Sequence, residues 1–169
     1  MDDDLAAFCL RERPRLVSAV DLVTGSLGVA EDLAQETLAR VCRDWRRVRE
    51  MDAPGAYAHR IALNLATSMF RRRAAERRAR DRDSARATRV WHDPDGAERV
   101  AVRAALQSLR PEQRQVLVAR YFLGYSLLET ARLLRMPEGT VKTHAHRGLA
   151  LLREQLGADI TATEAVPHA

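Results

Sequence analysis

Residues 126–153, SLLETARLLRMPEGTVKTHAHRGLALLR, read as two helices joined by a tight turn. Ser126 followed three residues later by Glu129 is a capping box: the hydroxyl takes the N–H at position 129 and the carboxylate takes the N–H at 126. Ala131, Leu133 and Leu134 give that first helix its apolar side. The turn falls at Met136-Pro137-Glu138-Gly139, where a proline, lacking an N–H, ends one helix and can open the next. From there Val141, Ala145, Leu149, Leu152 and Leu156 recur at helical spacing and form an inward stripe. Facing outward are Lys142, Thr143, His146 and Arg147: a cation, a hydroxyl, an imidazole and a guanidinium. A short capped helix followed by a longer one with that outer face is the helix-turn-helix pattern, whose second helix enters the DNA major groove. A helical hairpin with a merely solvated outer face is the plainer alternative.

Composition favours the DNA reading. The 28 basic residues outnumber the 23 acidic ones, giving a net charge of +5, a balance suited to a polyanionic partner. Lys142 is the one lysine in the chain, and it lies on the proposed recognition helix. At 169 residues the chain can be one domain or two small ones, and with aromatics at 5% the cores should be small and aliphatic. Cys9 and Cys42 lack His or Cys partners at metal spacing and sit beside apolar residues, so they read as small core fillers. No run approaches the roughly 18–20 apolar residues that span a bilayer. The acidic start, MDDDLAAF, is unlike a basic signal peptide. The expectation is a cytoplasmic protein without membrane insertion.

Upstream, residues 5–27 read as helical but broken near Pro14, with Leu16, Val20, Val23 and Leu27 at helical spacing. A second helix is expected over about 29–47, with Ala30, Leu33, Thr37, Leu38, Val41 and Trp45 inward and Asp32, Gln35 and Glu36 outward. Asp32 and Glu36 are like charges one turn apart, which costs a few tenths of a kcal/mol and points to a partner-binding face. A third helix should run from Pro54 to about Arg73, with Tyr57, Ile61, Leu65 and Met69 inward. Arg60, Asn64, Thr67 and Arg71 lie on another side of it, continued by Arg72 and Arg73. From His59 to Arg89 there are ten arginines against three acids, a lopsidedness that normally meets phosphate. Residues 74–97 lose apolar periodicity and finish in a turn-like DPDG, with Trp91 as the one exception to their polarity. Beyond them Val102, Ala105, Leu106 and Leu109 mark a helix, and Pro111 opens another, PEQRQVLVARYF, closed by Gly124. The expected architecture is all-α: two small helical domains, residues 1–75 and 98–156, a flexible linker at 76–97, and a disordered tail at 157–169.

Two separate stretches resemble one family. AEDLAQETLARVCRDW (30–45) with APGAYAHRIALNLATSMFRRR (53–73) resembles the second conserved domain of bacterial sigma factors of the sigma-70 type. Residues 109–156, from LRPEQRQVLVARYF to LLREQL, resemble their fourth domain, and the two-domain layout looks like the extracytoplasmic-function (ECF) group. The resemblance implies a dissociable initiation subunit that directs core RNA polymerase to particular promoters. It places Asp32, Leu33, Gln35 and Glu36 against the clamp helices of the largest subunit, and the fourth domain at the flap region of the second-largest. Arg60, Asn64, Thr67, Arg71, Arg72 and Arg73 would contact the minus-ten element, with a flipped base held near Val48–Ala53. An extruded base needs hydrogen bonds to its edge, and its phosphates need guanidinium partners. Thr140, Lys142, Thr143, His144, His146 and Arg147 would contact the minus-thirty-five element as duplex. Family members often carry Ser-Arg where this chain has Thr143-His144, and a larger apolar residue where it has Ala145. Promoter DNA is the implied partner besides polymerase, and an anti-sigma factor is left open.

The rival reading is a helix-turn-helix transcription regulator that acts without being a polymerase subunit. It would need a ligand-binding or phosphoacceptor domain, for which the N-terminal half shows no strands or paired acidic site. Enzyme chemistry has no visible basis: there is no Ser-His-Asp constellation or phosphate-binding glycine loop. His144 and His146 diverge on a helix instead of pairing at i, i+4 as metal ligands. No catalytic residue, metal or cofactor is expected.

Overall fold

The computed structural model describes residues 3–80 and 97–156, with no strand among them. Helix α1 (Asp3–Thr24) runs unbroken through Pro14, against the expected break. Proline removes the hydrogen bond to the carbonyl four residues back, at Leu10. Both Leu10 and Pro14 are on the solvent side, where water can serve that carbonyl, while Phe8, Leu16, Val20 and Val23 hold the opposite side in the core. Gly25, at φ +70°, stops α1, and the Ser26 hydroxyl accepts from the Val29 N–H to start α2 (Leu27–Arg43). A single turn, α3 (Trp45–Val48), and a loop lead to α4 (Pro54–Arg80). Helix α4 therefore continues past Arg73 into residues read as linker, and α5 opens at Ala97. Residues 81–96, including Trp91, and the tail 157–169 lie outside the described residues.

The first unit closes around Phe8, Leu16, Val20, Ala30, Ala34, Val41, Trp45, Val48, Ala58 and Ala62. Phe8 and Trp45 meet with ring centroids 5.2 Å apart. The buried stripe of α4 is Ala58, Ala62, Leu63, Ala66 and Met69, whereas Tyr57, Ile61 and Leu65 are only half-buried. Apolar size alone points to Tyr57, Ile61 and Leu65 as the inward residues. In the fold, small alanines face α1 and α2, because they let the helices approach closely.

The second unit consists of α5 (Ala97–Ser108), α6 (Pro111–Leu117), a π-helical turn (Val118–Phe122), α7 (Leu127–Leu134) and α8 (Glu138–Leu156). The capping box forms as read: Ser126 Oγ accepts from the Glu129 N–H at 3.2 Å, and the Ser126 N–H donates to Glu129 Oε2 at 2.7 Å. Arg135, in the left-handed region at φ +54°, ends α7. Leu106, Leu109, Val116, Leu117, Ala131, Val141 and Ala145 form the core. Gly148 lets α8 lie close against α6, since a Cβ there would stand 2.9 Å from Leu117 Cδ1.

The two units share a third core, in which Ala19, Val23, Leu63 and Ala66 of the first meet Val118, Ala119, Leu123 and Leu133 of the second. Polar contacts cross the same seam. Arg114 Nη1 donates to Val23 O at 2.6 Å, Gln107 Nε2 to Leu22 O at 3.1 Å, and Gln115 Nε2 to Leu63 O at 3.3 Å and Thr67 Oγ1 at 2.7 Å. Arg103 pairs with Asp21 at 2.8 Å.

Candidate nucleic-acid interface and polymerase face

Helix α8 presents one side to the core and the other to solvent. Val141, Ala145 and Gly148 are buried, and this fixes the rotation that leaves Lys142, Thr143, His146 and Arg147 exposed, with Thr140 and His144 half-buried. Thr143 Oγ1 donates back to Gly139 O at 2.8 Å, so its proton is used within the helix and its lone pairs and methyl face out. Beside this face lies an open groove of about 580 Å³, lined among others by His144, His146, Arg147, Ser108 and Arg110. Arg110, at the junction of α5 and α6, carried no signal in the sequence spacing. Only the return of α6 against α8 brings it alongside Arg147.

On α2, Asp32, Gln35 and Glu36 are exposed, while Leu33 is half-buried against the first core. Glu36 accepts from Arg40 Nε at 2.9 Å, an i, i+4 pair that offsets the like-charge cost expected between Asp32 and Glu36.

On α4, Asn64, Arg71 and Arg72 are exposed, and Arg60 and Arg73 are half-buried. Arg60, Asn64 and Arg71 fall on one side by helical spacing, and Arg72 is rotated away from them. Thr67 shares that side by spacing, but its hydroxyl is already engaged: it donates to Leu63 O at 2.8 Å and accepts from Gln115 Nε2 of the second unit. Tyr57, read as an inward residue, is held between the guanidiniums of Arg47 and Arg60, each 5.4 Å from its ring centroid. Arg47 Nη2 also donates to Tyr57 Oη at 2.9 Å. In the loop before α4, Val48 is buried in the core, while Asp52 and Ala53 are exposed.

Two family models match the chain: Sigma-70 region 2 over residues 9–76, and Sigma-70, region 4 over residues 99–152. The RNA polymerase sigma-E factor of Streptomyces coelicolor is 36% identical over 135 residues, covering 76% of this chain and 72% of that protein. The ECF RNA polymerase sigma factor SigX of Bacillus subtilis is 32% identical, covering 75% and 70%. The chain belongs to the ECF group of sigma-70-type sigma factors. Its fold is that of the sigma factor RpoE of Bartonella quintana, solved in complex with the anti-sigma factor NepR. That likeness has a TM-score of 0.78 and 23% identity, and covers 92% of this chain and 98% of that one.

In this sigma factor the region 2 match takes in the exposed faces of α2 and α4, and the region 4 match takes in α8 and Arg110. Among the described residues no helix is long and apolar enough to cross a membrane, and no three His, Cys, Asp or Glu side chains are grouped to hold a metal.

Proposed function

We propose that three exposed faces divide the work of promoter-specific initiation. The observation that carries this reading is that burial fixes the rotation of three helices and leaves polar residues outward on each. The acidic face of α2, with Asp32, Gln35 and Glu36 and with Leu33 at its edge, docks on the clamp helices of the largest polymerase subunit. Arg60, Asn64 and Arg71, flanked by Arg72 and Arg73, hold the melted minus-ten strand by its phosphates and base edges. Thr67 joins them only when Gln115 releases it. Helix α8 reads the minus-thirty-five duplex with Lys142, Thr143, His146 and Arg147, supported by Thr140 and His144, and Arg110 adds a phosphate contact. The second unit reaches the flap region of the second-largest subunit, and an anti-sigma factor is a further partner of the chain with its two units packed together. The chain acts in the cytoplasm as a non-catalytic subunit.

Support comes from the chemistry of each face: carboxylates for a basic protein surface, guanidiniums and an amide for nucleic acid. The test is affinity for core polymerase combined with run-off transcription. Asp32→Ala with Glu36→Ala should weaken core binding and initiation at every promoter alike. A promoter-dependent defect in that double variant, with core affinity unchanged, would reject the assignment. Sequence-specific binding by the free chain as tight as that of the holoenzyme would favour a regulator that works without polymerase.

A further inference from the structure

Cys42 does not behave as a core filler. It is exposed near the end of α2, while Cys9 is half-buried on α1, and their sulfurs lie 4.0 Å apart across the pair of helices. Both thiols are free. An exposed cysteine gains nothing from apolar burial, so the pairing itself calls for an explanation. We propose that Cys9 and Cys42 are a reversible oxidation site at which peroxide-class oxidants join α1 to α2 through a disulfide.

The sulfurs must close from 4.0 Å to about 2.05 Å, a movement within reach of a side-chain rotation at exposed Cys42. Cys42 is the sulfur that solvent-borne peroxide meets first. Its thiolate attacks one peroxide oxygen, the O–O bond breaks, and the departing hydroxide takes up a proton to leave as water, giving a sulfenic acid on Cys42. Cys9 sulfur then attacks the Cys42 sulfur. The S–S bond forms, the S–O bond breaks, and the released hydroxide leaves as a second water after taking the Cys9 proton. In total the two thiols lose two electrons and two protons, and peroxide is reduced to two waters. Burial and the neighbouring Cys42 push the Cys9 thiol up to about 11, so Cys9 stays protonated at neutral pH and the second step gains speed as pH rises. In a reducing compartment such a bond is transient, as befits a sensing thiol pair.

The bridge would tie helices whose cysteines are 33 residues apart, beside the Phe8–Trp45 contact. It would also fasten the helix that carries Gln35, which lies two turns before Cys42 on the same side. Closing a loop of that length should raise the melting temperature by roughly 5–15 °C.

The full-length chain is treated with hydrogen peroxide, then examined by intact mass, by thiol titration in denaturant and by thermal melting, before and after dithiothreitol. The expected result is a monomer lighter by two hydrogen atoms, with no titratable thiol and a higher melting temperature, all reversed by dithiothreitol. Cys9→Ser should stop at a sulfenic acid on Cys42 that dimedone traps, and Cys42→Ser should leave Cys9 unmodified at the same peroxide dose. Retention of both thiols overturns the proposal. So does a gain of oxygen atoms on Cys42 without loss of the Cys9 thiol, or a disulfide formed only between chains.

Discussion

Tyr125 Oη lies 2.6 Å from His59 Nδ1, so the turn that leads into the helix-turn-helix is bonded to the helix that carries Arg60 and Asn64. On the other side of the imidazole, Nε2 faces Glu12 Oε2 at 3.5 Å, and neither atom makes a hydrogen bond among the described residues. Both side chains are about 95% buried, with exposures of 4% and 5%. Glu12 Oε1 is taken by Arg11 Nε at 3.0 Å. Which group donates depends on the tautomer: an imidazole that accepts from the phenol at Nδ1 carries its proton on Nε2, toward Glu12. Burial favours the neutral form of both rings, pushing the Tyr125 phenol up to about 12 and lowering the pKa of His59 against the opposing pull of Glu12.

When the two units separate from the closed, packed arrangement, Tyr125 leaves His59 and part of the burial that lowers its pKa is relieved, so toward acid the separated form binds more protons. Closure is therefore best supported where the imidazole is neutral in both arrangements and weakens as pH falls through the histidine range. Glu12 and Arg15 from α1, Tyr125, and Glu129 from α7 are the other ionisable groups around this pocket. A distance probe between labels on the two units should report opening between roughly pH 8 and pH 5. His59→Gln should flatten the response, and an unchanged titration in that variant would assign the effect to another group.

Arg114 is the largest polar investment in the seam. Its guanidinium donates to Val23 O, to the Gln107 side chain and carbonyl, and to Leu109 O, and it lies over the Phe70 ring. Burial lowers its pKa, which marks a charge kept out of water by these acceptors. Arg114→Ala orphans several carbonyls at once and should cost roughly 2–4 kcal/mol in denaturant unfolding of the full chain. Arg114→Lys should recover only part of that, because an ammonium cannot reproduce the fork. A loss under about 0.5 kcal/mol would show that water replaces the guanidinium without penalty.

Thr130 makes the opposite prediction. It is fully buried in α7, and its Oγ1 has no hydrogen-bond partner among the described residues. Thr130→Val keeps the shape and removes the unsatisfied hydroxyl, so it should stabilise the chain by about 1 kcal/mol, or about 2–4 °C in melting temperature. A destabilised variant would mean that the hydroxyl has a partner in solution.

Local signals were legible because local chemistry decides them. The Ser126–Glu129 box, the Pro137 turn and the Val141–Ala145 stripe each need only neighbouring residues, and each appears where the spacing puts it. Residues decided by distant partners were not. Gln107, Arg114 and Gln115 look like ordinary polar helix residues, yet they bond across the seam, from the second unit to carbonyls at Leu22, Val23 and Leu63. Thr67 was grouped with Arg60 by spacing, and its engagement by Gln115 depends on a residue 48 positions away. Cys42 was misread because adjacent apolar residues do not reveal which side of a helix faces water.

The added groove residue Arg110 can be separated from Arg147 by what each would touch. Arg147 lies on the exposed face of α8, where a guanidinium can bond two acceptors of one guanine, a contact worth about 1–3 kcal/mol of base discrimination. Arg110 lines the groove edge, where the duplex backbone would pass. Arg147→Ala in holoenzyme should lower run-off transcription mainly at promoters with an intact minus-thirty-five element, and should flatten the difference between that element and its point variants. Arg110→Ala should weaken all promoters by a similar factor and reduce the salt dependence of promoter binding by about one counterion. If Arg110→Ala instead changed the ranking of minus-thirty-five variants, the guanidinium would be reading bases, and the duplex would have to sit deeper toward α6 than the outer face of α8 implies.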